Sequence, residues 1–266
     1  MKYKGLIITL IILLLILIFG LSAFLIIALK SGANFKNGMF NISSNNTNII
    51  YEKEIGLENI KNINIQQDAG DIKIKETSDN FIKVVLYGEN ESDANVELNN
   101  EKLNVESKHR TKKFNFFNFN ITTNDIIVYI PSSYSNEIKI RNNYGNCEIE
   151  DLENATINID SDAGNVELGK IKNALLKSSC GNIKINEVLN KCDIDNNCGN
   201  IKIDTMKIQE NSKIKADLGN IEINNTNNIF IDADVDLGKI RINKNNKSSD
   251  IVLKIECDCG NVTINN

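Results

Sequence analysis

Through the second half of the chain apolar and polar residues alternate, and glycine interrupts the alternation at regular distances. After each glycine comes a polar residue and then a triplet such as Ile201, Lys202, Ile203. Before it runs a second alternation, as where Ile229, Ile231, Ala233, Val235 and Leu237 interleave with Phe230, Asp232, Asp234 and Asp236. A period of two belongs to a strand with one buried face. Two strands therefore meet at every glycine. Glycine takes positive φ without a Cβ penalty and asparagine tolerates the left-handed region, so Gly-Asn is predicted to mark a corner.

Alignment on the glycines gives AGDIKI at 69, YGNCEI at 144, AGNVEL at 163, CGNIKI at 180 and again at 198, LGNIEI at 218, LGKIRI at 237 and CGNVTI at 259. From Gly145 onward the glycines stand 19, 17, 18, 20, 19 and 22 residues apart. Self-similarity at a nearly fixed period predicts a solenoid, in which each unit buries its apolar face only against its neighbours. Coils of about 19 residues stacked about 4.8 Å apart would bring equivalent residues into columns. Four residues before glycine the column reads Asp160, Lys177, Asp195, Lys215, Asp234, Glu256, and three after it reads Glu167, Lys184, Lys202, Glu222, Arg241, Thr263. Alternating sign is what cross-strand pairs on an exposed face favour. The column directly after glycine is nearly all asparagine, which can hydrogen-bond from rung to rung. Residues 75–143 break the period and read as an irregular hairpin and cap region, with strands in FIKVVLYG, ANVELNNEKLNVESK and NDIIVYIP. The regular coils occupy 144–266.

The first thirty residues follow another pattern. Residues 5–29 are an unbroken uncharged run of 25, about 37 Å long as a helix and enough to cross a hydrocarbon core of about 30 Å. Residues 1–30 are therefore expected to be a transmembrane anchor. A cleaved secretory signal is the competing reading, but no convincing small-residue cleavage site follows the run. Lys2 and Lys4 precede it and Lys30 and Lys36 follow closely, a slight charge bias by count that agrees with the expectation of a short amino end in the cytoplasm and the rest outside the cell membrane. Residues 31–48 are polar, with scattered Gly and Ser, and read as a flexible linker to an ectodomain at 49–266.

Composition narrows the chemistry. Of 266 residues 41% are hydrophobic, enough for a folded core. Trp is absent, Pro and His occur once each, and Asn fills roughly one position in six, so turns rest on Asn and Gly. A single His109 excludes chemistry that needs paired histidines. Beyond Lys30 there are 27 basic and 35 acidic residues, a balance of -8 that offers no general attraction for nucleic acid.

INIQQDAGDIKI near the start, IIVYIP at 126–131 and the run of G-N-[IVC]-x-[IVL] units from 145 to 264 together resemble the adhesin-like domain of unknown function found in bacterial membrane-anchored and secreted proteins. The resemblance covers nearly all of residues 49–266. It implies an all-β, single-domain, right-handed β-solenoid (β-helix) at the cell envelope, and it carries over no catalytic residues. No cofactor is expected.

Several features are weighed as sites. Each of the six cysteines shares its column with Ala, Leu, Ile, Val or Ser and is expected to be a small buried hydrophobe. Cys180 and Cys198 would stand one rung apart, within the Cα separation that a disulfide needs, so a bridge between them is an alternative. A metal site would require soft ligands converging on one point, and only the single pair Cys257 and Cys259 is closely spaced. Asp217, Asp236 and Asp258 form a column that is either a solvated acidic stripe or a weak calcium site. KHRTKKFNFFNFN at 108–120 is a basic and aromatic cluster in which Arg110, Lys112, Lys113, Phe116 and Phe117 could meet a membrane surface or an anionic wall polymer; the alternative is a hairpin packed on the solenoid cap.

The function expected is adhesion, scaffolding or envelope sensing by a membrane-tethered solenoid, with envelope proteins or wall polymers as partners and no catalysis. A carbohydrate-active β-helix enzyme is the alternative, since paired acids in a cleft can cleave glycosides. Self-association by strand addition at the C-terminal coil is a further expectation, because the chain stops two residues after Ile264.

Overall fold

The computed structural model describes residues 33–36, 39–42, 48–108 and 123–265. Two units are distinguished. In the first, the described residues form a hairpin in which Ala33–Lys36 runs antiparallel to Met39–Ile42, inside the segment read as a linker. The transmembrane expectation for residues 1–30 lies outside the described residues. Among the described residues no helix is long and apolar enough to cross a membrane.

The second unit is all-β and solenoid-like, as the alternation predicts. Nine rungs stack in parallel, each with one strand before the corner and one after it. In spatial order the first rung is Lys102–Ser107 with Asp125–Pro131, the second Asn62–Ala69 with Ile72–Thr77, and the third Glu137–Tyr144 with Cys147–Ile149. The long strands Leu152–Ala163, Val166–Cys180 and Ile183–Cys198 continue from one rung into the next and, with Ile201–Met206, supply rungs four to six. The seventh is Ser212–Leu218 with Ile221–Thr226.

Beyond the seventh rung space and sequence part company. Ser212–Leu218 pairs with Val252–Cys259, and that strand pairs on its other side with Phe230–Leu237. The following strands agree, since Val262–Ile264 lies between Ile221–Thr226 and Ile240–Ile242. The last coil in the chain is thus the eighth rung, and the coil before it is the ninth. Three residues, 227–229, carry the chain over the omitted rung, a step of about 10 Å that three extended residues can span. The same manoeuvre occurs at the other end, where the second rung is laid down before the first. This corrects the expectation of an open C-terminal coil: it is paired on both sides, and the open edge belongs to Phe230–Leu237 and Ile240–Ile242.

Residues 75–143 also hold more of the stack than their irregular pattern suggests. Lys102–Ser107 and Asp125–Pro131 make a full rung, Ala94–Asn99 and Phe81–Tyr87 cover it as antiparallel strands, and Ile49–Gly56 adds to Phe81–Tyr87. The regular stack therefore begins before residue 144.

The core is made of aligned apolar columns. Ile65, Ile140, Ile159, Leu176, Ile194, Ile214 and Ile255 form one wall, and Ile74, Ile149, Leu168, Ile185, Ile203, Ile223 and Ile264 form the opposite one; all are buried. Strand alternation sends these residues inward on both sides of the corner. The column three after glycine carries cross-rung ion pairs, Lys73 with Glu148 at 3.2 Å, Glu167 with Lys184 at 2.5 Å and Lys202 with Glu222 at 3.3 Å. In the column four before glycine the ion pairs do not run straight up the column: Lys215 reaches Asp217 on its own strand, and Glu256 accepts from Lys254 on its own strand and diagonally from Lys213 on the seventh rung.

Candidate functional site

The corner repeats the same geometry from rung to rung. At Gly199 φ is +134°, and a Cβ there would land on the carbonyl oxygen of Gly181 in the rung below. Close stacking and positive φ together explain the glycine column. The next column is a hydrogen-bonded ladder. The Oδ1 of each asparagine accepts both the backbone N–H and the side-chain amide of its neighbour, as Asn182 does from Asn200 at 2.9 and 3.3 Å. It runs through Asn146, Asn165, Asn182, Asn200, Asn220 and Asn261, which follows the spatial order of the rungs. Asp71 and Asp125 begin it, and the backbone N–H of Lys239 ends it. The amide dipoles all point one way, with nitrogens toward the two aspartates and oxygens toward the lysine, an arrangement each charge favours, as at helix ends. Burial pushes the Asp71 carboxyl up, and the N–H bond from Asn146 works against that shift.

Behind the corner lies a polar seam. Gln67, Asn142, Ser161, Ser178 and Asn196, three residues before the corner glycine in rungs two to six, are all buried. The amide nitrogen of Asn142 donates to the carbonyls of Gly70 and Gly145, and that of Asn196 to those of Gly181 and Gly199. In rungs seven to nine the same column is Ala216, Cys257 and Val235.

In front of the corner, the column directly before glycine points outward. It reads Ala69, Tyr144, Ala163, Cys180, Cys198, Leu218, Cys259 and Leu237 in spatial order. Tyr144 is 60%, Leu218 54% and Leu237 69% exposed, and Cys180, Cys198 and Cys259 are exposed as well. This corrects the expectation that all six cysteines are buried, which holds for Cys147, Cys192 and Cys257. The alternation does continue to the residue before glycine, but the chain turns there and leaves no facing wall to cover it. Sequence reasoning missed this column, although it carried a signal: a slot that holds Ala, Tyr, Cys and Leu in turn varies too much in volume for a close-packed interior.

The six thiols divide accordingly. Burial pushes Cys147 up to about 12 and also raises Cys192 and Cys257. Cys180 is raised by partial burial and then by the adjacent Cys198. Asp217, Asp258 and Asp236 fall on rungs seven, eight and nine, so the acidic column is contiguous, with Asp217 held by Lys215 at 2.7 Å. Among the described residues no three His, Cys, Asp or Glu side chains are grouped to hold a metal. Arg110, Lys112, Lys113, Phe116 and Phe117 lie outside the described residues. At the corner of the first rung Asn124 stands in place of glycine.

Two shallow open depressions mark the outer faces. One is lined by Asn220, Glu222, Lys239, Arg241, Asn261 and Thr263. The other gathers Glu76, Glu148, Glu150, Asp151 and Glu167. Most of these acids are engaged: Glu148 and Glu167 by lysines, Glu150 by the backbone N–H of Glu76, and Asp151 by that of Lys170.

The profile of the Toastrack DUF4097 family matches residues 60–266. No curated protein matches the chain. Among solved structures, a candidate cell adhesion protein from Clostridium sporogenes ATCC 15579 aligns with a TM-score of 0.37 and 14% identity, over 80% of this chain and 98% of that one. A candidate adhesin from Bacteroides fragilis NCTC 9343 aligns at 0.40 and 13%, over 84% and 99%. Another, from Parabacteroides distasonis ATCC 8503, aligns at 0.43 and 15%, over 80% and 96%.

Proposed function

We propose that this chain, which belongs to the Toastrack DUF4097 family, is a membrane-anchored extracytoplasmic adhesin-like scaffold that binds a protein partner along its corner and performs no catalysis. The observation that carries the reading is the outward apolar column. Tyr144, Leu218 and Leu237, with the thiols between them, extend over six rung spacings, about 29 Å. A contiguous exposed apolar strip on an otherwise charged surface is a recognition feature. The asparagine ladder beside it supplies a polar rim. Anchoring rests on the uncharged run at 5–29.

Cross-linking of the full-length chain in its native membranes, compared with a Leu218→Asp, Leu237→Asp variant, tests this. A partner captured by the parent and lost from a variant with unchanged circular dichroism supports the proposal. A partner set that survives the double substitution, or capture that resists protease and so reflects a wall polymer, overturns it. Alkylation of Cys259 on intact cells by a membrane-impermeant maleimide tests the orientation, and failure to label it would reverse the topology. The second reading, a carbohydrate-active β-helix enzyme, draws on the depression containing Glu76, Glu148, Glu150 and Asp151. Sugar release from wall polysaccharide that disappears in Glu150→Gln would establish it in place of the scaffold.

A further inference from the structure

Cys180 and Cys198 occupy equivalent positions on the fifth and sixth rungs. The register is fixed on both sides of them, by the pairing of Ser178 with Asn196 and by the N–H of Gly181 donating to the carbonyl of Cys198 at 2.8 Å. Adjacent parallel strands place such residues about 4.8 Å apart, inside the Cα range of about 4.4 to 6.8 Å found for disulfides. Both thiols are exposed, and both are free. Burial of part of the Cys180 side chain and the nearness of Cys198 raise the Cys180 thiol, as expected for two sulfurs side by side. Cys259 lies in the same outward column but has Leu218 and Leu237 as its neighbours, so it has no thiol one rung away. The remaining three cysteines are buried.

We propose that Cys180 and Cys198 form a reversible dithiol–disulfide site on the corner of the solenoid, oxidised by exchange with an external disulfide. One protein thiolate attacks the oxidant and expels one of its sulfurs as a thiolate, leaving a mixed disulfide. The second protein thiolate attacks the protein sulfur of that intermediate, forming the Cys180–Cys198 bond and expelling the other oxidant sulfur. Two protein thiols lose two protons and two electrons, and one oxidant disulfide becomes two thiols. The bond would staple two rungs at their exposed edge and convert two members of the apolar strip from thiol to disulfide. The site does not depend on the binding role proposed above.

The test uses the full-length chain and oxidised glutathione. Before oxidation, native-state alkylation is expected at Cys180, Cys198 and Cys259. After it, Cys180 and Cys198 should no longer react, Cys259 should react or carry one glutathione, and a dithiothreitol-sensitive link should join the tryptic peptides 178–184 and 192–202. The second peptide also contains Cys192, so a different alkylating reagent added after unfolding distinguishes that buried thiol. In Cys198→Ser, Cys180 should remain alkylatable or carry one glutathione. Persistent alkylation of all three thiols, separate glutathione adducts on Cys180 and Cys198 without a link, or a link to Cys259 would each overturn the proposal.

Discussion

The two ends of the stack are reached by the same detour and finished differently. At the first rung, antiparallel strands cover both walls, and Leu103, Val105, Ile126, Val128 and Ile130 are fully buried. At the ninth rung Ala233 and Ile242, equivalent to Val105 and Val128, are only partly buried, and Ile240, equivalent to Ile126, is 43% exposed. Among the described residues the edge there is closed near its start, where the side chain of Asn245 accepts from the N–H of Ile231 at 2.9 Å and donates to its carbonyl at 2.7 Å, in the manner of a short extra strand, and the backbone N–H of Asn246 donates to the carbonyl of Ile229 at 3.2 Å. Further along, Asp232, Asp234 and Asp236 stand on the outward face, and charge on an edge strand discourages pairing with another copy. The inward residues of the rung held inside, Leu253, Ile255 and Cys257, outweigh Ile231, Ala233 and Val235 of the rung left outside, because Ile255 stands where the outer rung has only Ala233. An end can therefore be completed by covering its core or by placing a small, charged rung there.

That contrast is most severely tested in the eighth rung. Ile255→Asp buries a carboxylate between two rungs and is expected to cost more than about 4 kcal/mol in denaturant unfolding. Val235→Asp, one rung further out, should cost about 1 kcal/mol or less, because the carboxylate can remain wet. Equal costs would restore the order of the chain and contradict the interleaved one. Next in size is Gly199→Ala, where positive φ and the Gly181 carbonyl both oppose a Cβ; about 2 to 4 kcal/mol is expected, with a smaller loss at Gly238, on the ninth rung. A match between the two glycines would show that the last rung is held as firmly as the middle.

Asn182→Ala removes the acceptor for two donors of Asn200 and should cost roughly 1 kcal/mol, measured by chemical unfolding. The smallest effect concerns Glu256, which joins the seventh and eighth rungs. Hydrogen bonds from Lys213 and Lys254 hold its carboxyl down to about 2. A depressed acid stabilises the fold above its unfolded pKa, and that contribution fades as pH falls from the ordinary value of 4.5 toward 2. Glu256→Gln should thus be less stable at pH 7 by under about 1 kcal/mol, given the solvent exposure of the pair, and indistinguishable from the parent at pH 2.

Much of this architecture was legible in the sequence. The alternation of Ile183, Lys184 and Ile185 assigned inner and outer faces, and Gly-Asn located the corner, because both depend on local backbone geometry. The asparagine ladder followed from the column alone. The outward position of Tyr144 and Leu218 was not legible, since alternation gives the direction of a side chain but not whether a wall stands opposite it. Among the proposed site residues, Cys180 and Cys198 were placed on neighbouring rungs by period alone, whereas their exposure required the turn of the corner.

The sequence by itself determined the rung: its length, its two strands, its corner and the residues that fill it. Only the tertiary structure decided the order in which rungs stack at the two ends. Every rung presents the same apolar columns and the same backbone pattern above and below, so pairing between any two is nearly degenerate in register. Three residues at 227–229 reach the second neighbour as well as the first, and the choice falls to the global balance of covered core and exposed charge.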